Sequence, residues 1–212
     1  AASIIKLSDW IQDWTHPNSD APTRPLIDTF TGSGTIPIEA ALIAKNRAPG
    51  LNRSFAFENW PWISKDKITE IKSELKKDEI KTTANKESPT QFPLIFAFDI
   101  DPNTIEIAKQ NARQAGVEDM IVFKCSDFNA LDFTHFENAT FITNPPYGER
   151  LEEAAAVTKM YKQFGEKFRQ TKNCSLFLIT SREDFPRLFG RAATKNRKLF
   201  NGNLKCYLYS YL

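Results

Sequence analysis

The chain alternates short apolar runs with stretches in which apolar residues recur every three or four positions, as strands and amphipathic helices do when they take turns. Residues 2–14 read as an opening helix with Ile4, Ile5, Leu7, Trp10 and Ile11 on one side. In His16–Pro25, which follows, Pro17, Pro22 and Pro25 forbid helix and mark a linker. Pro25–Thr31 is a short buried strand, Gly32–Ser33–Gly34 a tight turn, and Thr35 to about Lys45 a helix, with Thr35 as N-cap and Pro37 tolerated in the first turn. Further strands are expected at Leu94–Phe98, Met120–Lys124, Thr140–Thr143 and Ser175–Thr180. Pro102–Ala115 predicts a helix with Ile105, Ile107 and Ala108 inward and Gly116 closing it. Met160, Tyr161, Phe164 and Phe168 line one face of another, and Phe185–Phe189 forms a short one. Lys198–Phe200 and Leu204–Leu212, joined through Asn201–Gly202, read instead as a β-hairpin. The pattern is α/β: a doubly wound, mostly parallel sheet ending in an antiparallel hairpin.

Residues 46–91 break the βα rhythm. They begin with Arg47–Ala48–Pro49–Gly50, gather Phe55, Phe57, Trp60 and Trp62 into eight positions, and continue into a Lys- and Glu-rich helix marked by Ile68, Ile71 and Leu75. A polar link, Asn85–Gln91, closes this insertion, whose helix reads as a solvated cover and whose tryptophans read as packing before base stacking. The chain thus divides into an opening helix and linker, 1–24, and one large domain, 25–212.

Composition narrows the function. With 212 residues and 24.2 kDa the chain can bury a sizeable core, and its apolar runs are of strand length, so neither a membrane span nor a signal peptide is expected and the cytoplasm is the expected compartment. Cys125, Cys174 and Cys206 are far apart in apolar runs, as reduced core thiols are, and with only His16 and His135 besides, no metal site is expected. A net charge of +2 is too small for a domain that grips nucleic acid unaided, so a nucleic-acid substrate would need a further module. The chain enters its amphipathic stretch directly after Ala1–Ala2, which reads as a piece of a longer polypeptide.

The most informative stretch is Asn144–Pro145–Pro146–Tyr147–Gly148–Glu149–Arg150, directly after the Thr140–Thr143 strand. Two prolines have no N–H and nearly fixed φ, so they present rigid carbonyls, and Asn144 adds an amide oxygen at the strand end where open α/β sheets bind ligands. An amide oxygen and a proline carbonyl can hold the two hydrogens of an –NH2 group while Tyr147 stacks on the ring that carries it, a task that needs no hydroxyl. Such a loop suits a base's exocyclic amine.

Gly32-x-Gly34 alone is weak, because Pro37 replaces the third glycine of the dinucleotide fingerprint and Asp99 comes far later than the ~20 residues a nicotinamide site needs. It gains weight because successive strand ends supply Asp28 with Gly32 and Gly34, then Asp99, Asp127 and Asn144. Asp99 can accept two ribose hydroxyls, and Asp127 with the Phe128 N–H can hold an adenine edge. Adenosine with a compact zwitterionic tail suggests S-adenosylmethionine. Asp101, before Pro102, serves equally as a helix N-cap, and Asp127 as a turn residue; Cys125, inside a strand, is a poor nucleophile candidate.

Asp28–Thr29–Phe30–Thr31–Gly32–Ser33–Gly34–Thr35, Arg47–Ala48–Pro49–Gly50, Asp99–Ile100–Asp101 and the Asn144–Arg150 motif together resemble the bacterial THUMP-associated class I RNA methyltransferases, most of all the large-subunit ribosomal RNA guanine-N2 type. The resemblance covers nearly the whole chain. It implies a seven-stranded Rossmann-like sheet, S-adenosylmethionine held along the first three motif regions (Asp28, Thr31, Gly32, Ser33, Gly34, Thr35, Asp99, Ile100, Asp101, with Asp127 and Phe128), and an acceptor guanine at Asn144, Pro145, Pro146 and Tyr147. It also implies that ribosomal RNA is gripped by an amino-terminal THUMP domain that this sequence does not contain. Enzymes that methylate DNA adenine or a protein glutamine share the Asn-Pro-Pro-Tyr loop, so a DNA adenine-N6 methyltransferase remains an alternative, as does a non-catalytic RNA-binding module.

Overall fold

The structure, a computed structural model, describes residues 1–10, 24–84, 95–148 and 151–212. Most of the His16–Pro25 linker, the Asn85–Gln91 link, and Glu149 and Arg150 lie outside the described residues. The elements are α1 (Ala2–Leu7), β1 (Leu26–Asp28), α2 (Thr35–Ala44), α3 (Lys65–Ala84), β2 (Ile95–Asp99), α4 (Pro102–Ala115), β3 (Ile121–Cys125), β4 (Thr140–Thr143), α5 (Leu151–Phe168), β5 (Ser175–Thr180), α6 (Phe185–Phe189), β6 (Lys195–Asn201) and β7 (Leu204–Tyr211). They build one seven-stranded sheet in the order β3-β2-β1-β4-β5-β7-β6. The first five positions are mutually parallel; β7 runs antiparallel to both β5 and β6. The expected doubly wound sheet with a terminal hairpin is therefore the observed fold.

The pleat sorts the core. Successive strand residues point to opposite faces, so Leu26, Ala97, Ile142, Phe177 and Leu208 pack with α2, α4 and Ile5 on one side. Ile27, Phe98, Phe141, Leu178 and Tyr209 pack with α5 and α6 on the other, where Tyr161, Phe164, Phe168, Phe185 and Phe189 make an almost wholly aromatic layer. Sheets covered on both faces need near-continuous apolar strands, and β4 and β5 are buried throughout. Between α2 and β2, Ala56–Asn59 forms a single 3-10 turn before α3, whose residues 65–77 are exposed apart from a half-buried Ile68 and Lys72. Among the described residues no helix is long and apolar enough to cross a membrane.

Three local expectations are corrected. The opening helix stops at Leu7 rather than continuing to residue 14, because the Ser8 hydroxyl turns back to the Ile5 carbonyl at 2.6 Å and Trp10 enters the core, its indole N–H donating to the Arg24 carbonyl at 3.0 Å. The cap of α2 is Gly34, not Thr35: the position has φ of 85°, which a β-branched residue resists. Ile107 is half exposed, since the buried stripe of α4 runs through Ile105, Ala108 and Ala112.

One buried group is electrostatically unusual. Asp28 is fully buried at the end of β1, where one carboxyl oxygen accepts from the Thr143 hydroxyl at 2.8 Å and the Phe30 N–H at 3.2 Å, while the other has no hydrogen-bond partner. Burial raises its pKa to about 7 against these bonds. A proton on the free oxygen would let it donate to the neighbouring Thr31 hydroxyl, itself unpaired. Because the folded-state pKa exceeds the unfolded one, this group's contribution is fully present below about pH 4 and is lost as pH rises to about 7, beyond which it is constant. The urea midpoint should therefore fall between pH 5 and 7.5, and Asp28→Asn should flatten that fall; an unchanged slope in the variant would show that Asp28 titrates normally.

Candidate functional site

Strand order reverses on either side of β1, so the loops after β1, β2, β3 and β4 splay apart at the carboxyl edge and leave a crevice there. The crevice is a cavity of about 620 Å³, lined on one side by Thr29, Phe30, Gly32, Asp99, Ile100, Asp127, Phe128 and Asn129. Asn144, Pro145, Pro146 and Tyr147 line the other, with Ala156, Val157 and Met160 of α5 and Asn201 at the tip of β6.

The first wall is a hydrogen-bonded frame. Asp99 accepts the Gly32 N–H at 2.9 Å on one oxygen and the Asp101 N–H at 3.1 Å on the other, tying the turn after β1 to the end of β2. Each oxygen keeps a lone pair for a further donor. The turn is also held from α4, where the Asn111 amide donates to the Ser33 carbonyl at 2.8 Å. Its two glycines differ in kind. A Cβ on Gly34 would sit 3.0 Å from Ile38 and 3.1 Å from Ala108, whereas one on Gly32 would meet nothing within 4 Å. Gly34 thus lets the turn pack on helices, and Gly32 leaves open space beside a backbone N–H. Thr29 places a hydroxyl here that is buried and without a partner. Asp127 caps a short 3-10 turn by accepting the Asn129 N–H at 2.9 Å, and Phe128 is anchored between Phe30 and Phe164, ring centroids 5.3 and 5.8 Å away.

The second wall is braced from behind. Pro145 is buried and Asn144 exposed. The Pro146 carbonyl accepts the Tyr161 hydroxyl at 2.9 Å, and Tyr161 lies 2.9 Å from the Thr180 hydroxyl, which accepts the Arg182 N–H at 3.1 Å. With one proton per hydroxyl, the chain runs Arg182 to Thr180 to Tyr161 to Pro146. Burial pushes the Tyr161 pKa up to about 12, so it remains a donor. Of the two proline carbonyls that of Pro146 is thus already engaged by Tyr161. Tyr147 is half-buried beside Cys206, and its hydroxyl donates to the Asn144 amide oxygen at 2.6 Å. Desolvation holds the Tyr147 phenol well above its ordinary pKa. Gly148, with φ of 69°, brings the loop against α5, where a Cβ would meet Val157 at 3.1 Å.

The sequence-predicted residues thus separate into two groups. Gly32, Asp99, Ile100, Asp127, Phe128, Asn144, Pro145, Pro146 and Tyr147 meet on one cavity. Asp28, Thr31, Ser33, Gly34, Thr35 and Asp101 are not on its wall; Asp101 caps α4, accepting the Asn103 N–H at 2.9 Å and the Thr104 hydroxyl at 3.0 Å, which holds its carboxyl below the usual range. Val157, Met160 and Asn201 were not anticipated as lining. Met160 was legible only as a position on a helix face, and Asn201 only as a hairpin turn.

Comparison with known proteins finds methyltransferase relatives along the whole chain. Over all 212 residues the chain is 44% identical to YpsC of Bacillus subtilis (strain 168), whose name assigns it provisionally to the RNA methyltransferases, and it spans 50% of that protein. It is 36% identical over 215 aligned positions to ribosomal RNA large subunit methyltransferase K/L of Aliivibrio salmonicida (strain LFI1238), covering all of this chain and 28% of that one. The chain therefore spans about half or less of the length of these curated relatives. The crystal structure of SMU.472, a provisionally assigned methyltransferase complexed with SAH, superposes with a TM-score of 0.83 at 40% identity, over 99% of this chain and 51% of the other. Residues 1–210 match the model of the UPF0020 family, described as RMKL-like, methyltransferase domain, and the chain belongs to that family.

Proposed function

We propose that this chain is the catalytic domain of an S-adenosylmethionine-dependent RNA methyltransferase acting on an exocyclic base amine, guanine N2 of large-subunit ribosomal RNA. The observation that carries the reading is that one cavity joins the Asp99, Asp127 and Phe128 wall to the Asn144–Pro145 carbonyls. The polymer and base rest on the resemblance to the guanine-N2 enzymes and on the name of the K/L relative. In the longer protein so envisaged, acting in the cytoplasm, an amino-terminal THUMP domain supplies most of the RNA affinity, since this chain carries a net charge of only +2.

S-adenosylmethionine supplies, when bound, an electrophilic methyl group on a sulfonium sulfur. The residues present fit it: Asp99 has lone pairs to take ribose hydroxyls, the open side of Gly32 admits a compact tail, and Asp127 with the Phe128 N–H can hold an adenine edge. An exocyclic amine is a poor nucleophile because its lone pair is delocalised into the ring. The Asn144 amide oxygen and the Pro145 carbonyl accept its two hydrogens, which turns the lone pair out of the ring plane and stabilises positive charge growing on nitrogen. Because both acceptors are fixed beforehand, little reorganisation accompanies the step. A strong base is unnecessary, since the proton becomes acidic only as the N–C bond forms. The Tyr147 ring can stack on the acceptor base, while its hydroxyl orients the Asn144 amide.

In calorimetry Asp99→Ala should weaken S-adenosylmethionine binding; parental affinity would remove the ribose assignment. In single-turnover kinetics Asn144→Ala should lower the transfer rate by about 10²–10³ with cofactor affinity nearly unchanged. Tyr147→Ala should chiefly weaken substrate binding, by roughly 1–3 kcal/mol of lost stacking. Tyr147→Phe, which keeps the ring but frees the Asn144 amide, should restore substrate affinity yet run slower than the parent. Mass mapping of ribosomal RNA methylated by the protein should find N2-methylguanosine, and N6-methyladenosine in its place would overturn the base assignment.

A further inference from the structure

The modest net charge of the chain is unevenly spread. Residues 195–205 contain Lys195, Arg197, Lys198 and Lys205 and no acidic residue, against +2 for the whole sequence. They form β6, the strand at the sheet edge, and the turn into β7. Register places Lys198 opposite Tyr207 and Phe200 opposite Lys205, so these four side chains share one face of the hairpin. There the Lys198 ammonium lies 5.7 Å from the Phe200 ring centroid and the Lys205 ammonium 5.2 Å from that of Tyr207. Glu183 bounds the patch, accepting from Lys205 at 2.6 Å and from the Tyr207 hydroxyl at 2.5 Å. Among the described residues, Lys195, Arg197 and Lys198 form no ion pair with a carboxylate.

Lysines on an edge strand are accounted for by their usual task of blocking strand addition. A phenylalanine 68% exposed among them is not. Its neighbour in sequence, Asn201, lines the cavity from the other face of the hairpin and stands beside the Tyr147 hydroxyl, so the hairpin tip joins the patch to the wall that would hold the acceptor amine. An exposed ring beside Lys198, which has no carboxylate partner, and Lys205, which shares Glu183, fits a strand that offers flat bases and phosphates in alternation. A protein partner would more often meet a larger apolar surface with fewer free charges.

We propose that the β6–β7 hairpin is a single-stranded RNA-binding surface, in which Phe200 stacks on a nucleotide flanking the target base and Lys198 and Lys205, on the same face, hold adjacent phosphates. The proposal rests on the methyltransferase reading for its choice of RNA. It places the polynucleotide along the sheet edge as it leaves the cavity. The surface positions the strand locally and is compatible with most of the affinity residing elsewhere, because two phosphate contacts are few.

The test is fluorescence anisotropy at low salt with a labelled single-stranded 12-nucleotide RNA of mixed sequence, using the 212-residue chain. Phe200→Ala should weaken binding about tenfold, in the range of one lost stacking contact, and Phe200→Tyr should restore it. Replacing Lys198 and Lys205 together by Ala should lower the slope of log affinity against log salt by about 1.4, the release expected for two single-strand phosphates. Calorimetry with S-adenosylmethionine should give the parental affinity for every variant, which also reports that they are folded. Parental RNA affinity in Phe200→Ala, or a parent that does not bind the oligonucleotide, would overturn the proposal. So would a Phe200→Ala chain that changes only its oligomeric state in sedimentation, since the face would then be a protein interface. Methyl transfer to ribosomal RNA is followed in parallel. Binding through Phe200 without transfer would sustain the surface and defeat the catalytic reading, and transfer with Phe200-independent binding would do the reverse.

Discussion

Much of the carboxyl edge hangs on three residues. Leu26–Asp28 is the shortest strand, yet it pairs in parallel with β2 on one side and β4 on the other and is buried along its whole length. Both crevice walls diverge from its end, one through the Gly32 turn and the other through β4. The Thr143 hydroxyl at the end of β4 reaches back to Asp28, so the strand that carries the proline loop is pinned to the strand that carries the glycine turn. That a carboxyl group is spent in the core for this purpose, with one oxygen unsatisfied, shows how closely the relative position of the two walls is fixed. Asp99 then ties the turn to β2, and three strand ends become one frame.

The proline loop gains rigidity from two directions. Its own backbone is restricted by consecutive prolines, and the Thr180–Tyr161 relay reaches it across α5. In the proposed reaction such bracing matters, because acceptors that need not move to meet developing charge lower the barrier more than ones that must. Phe128, wedged between Phe30 and Phe164, performs the same service for the opposite wall.

How much of this was legible follows from what each residue depends on. Elements set by local rules were readable to the residue: β4, β5, α4 and α6 have the boundaries that apolar runs, Pro102, Gly116 and Gly190 dictate. The opening helix was overestimated because Trp10 continues the helical period, although tertiary packing draws it out of line. The motifs pointed to loops that line the cavity, but not to which side chain turns outward. Asp28 and Asp99 both end strands, and only the depth of burial makes one a core group and the other a cavity group. The Tyr147 hydroxyl bond to Asn144 and the Asn201 contribution needed a loop and a distant hairpin to be folded together, which no local pattern encodes.

The sheet order also bears on how the protein is made. β7, synthesised after the other six described strands, sits between β5 and β6. During translation the glycine turn, Asp99 and Asp127 can find their places once β4 has emerged, while β6 leaves the ribosome before the strand it pairs with. Until β7 follows, β5 presents an open edge, and an open edge in a parallel sheet invites pairing with another chain. A chain cut between Asn203 and Leu204 would keep its first wall complete but leave Asn201 without the strand that places it, exposing a sticky edge to the proteases and chaperones that survey nascent chains.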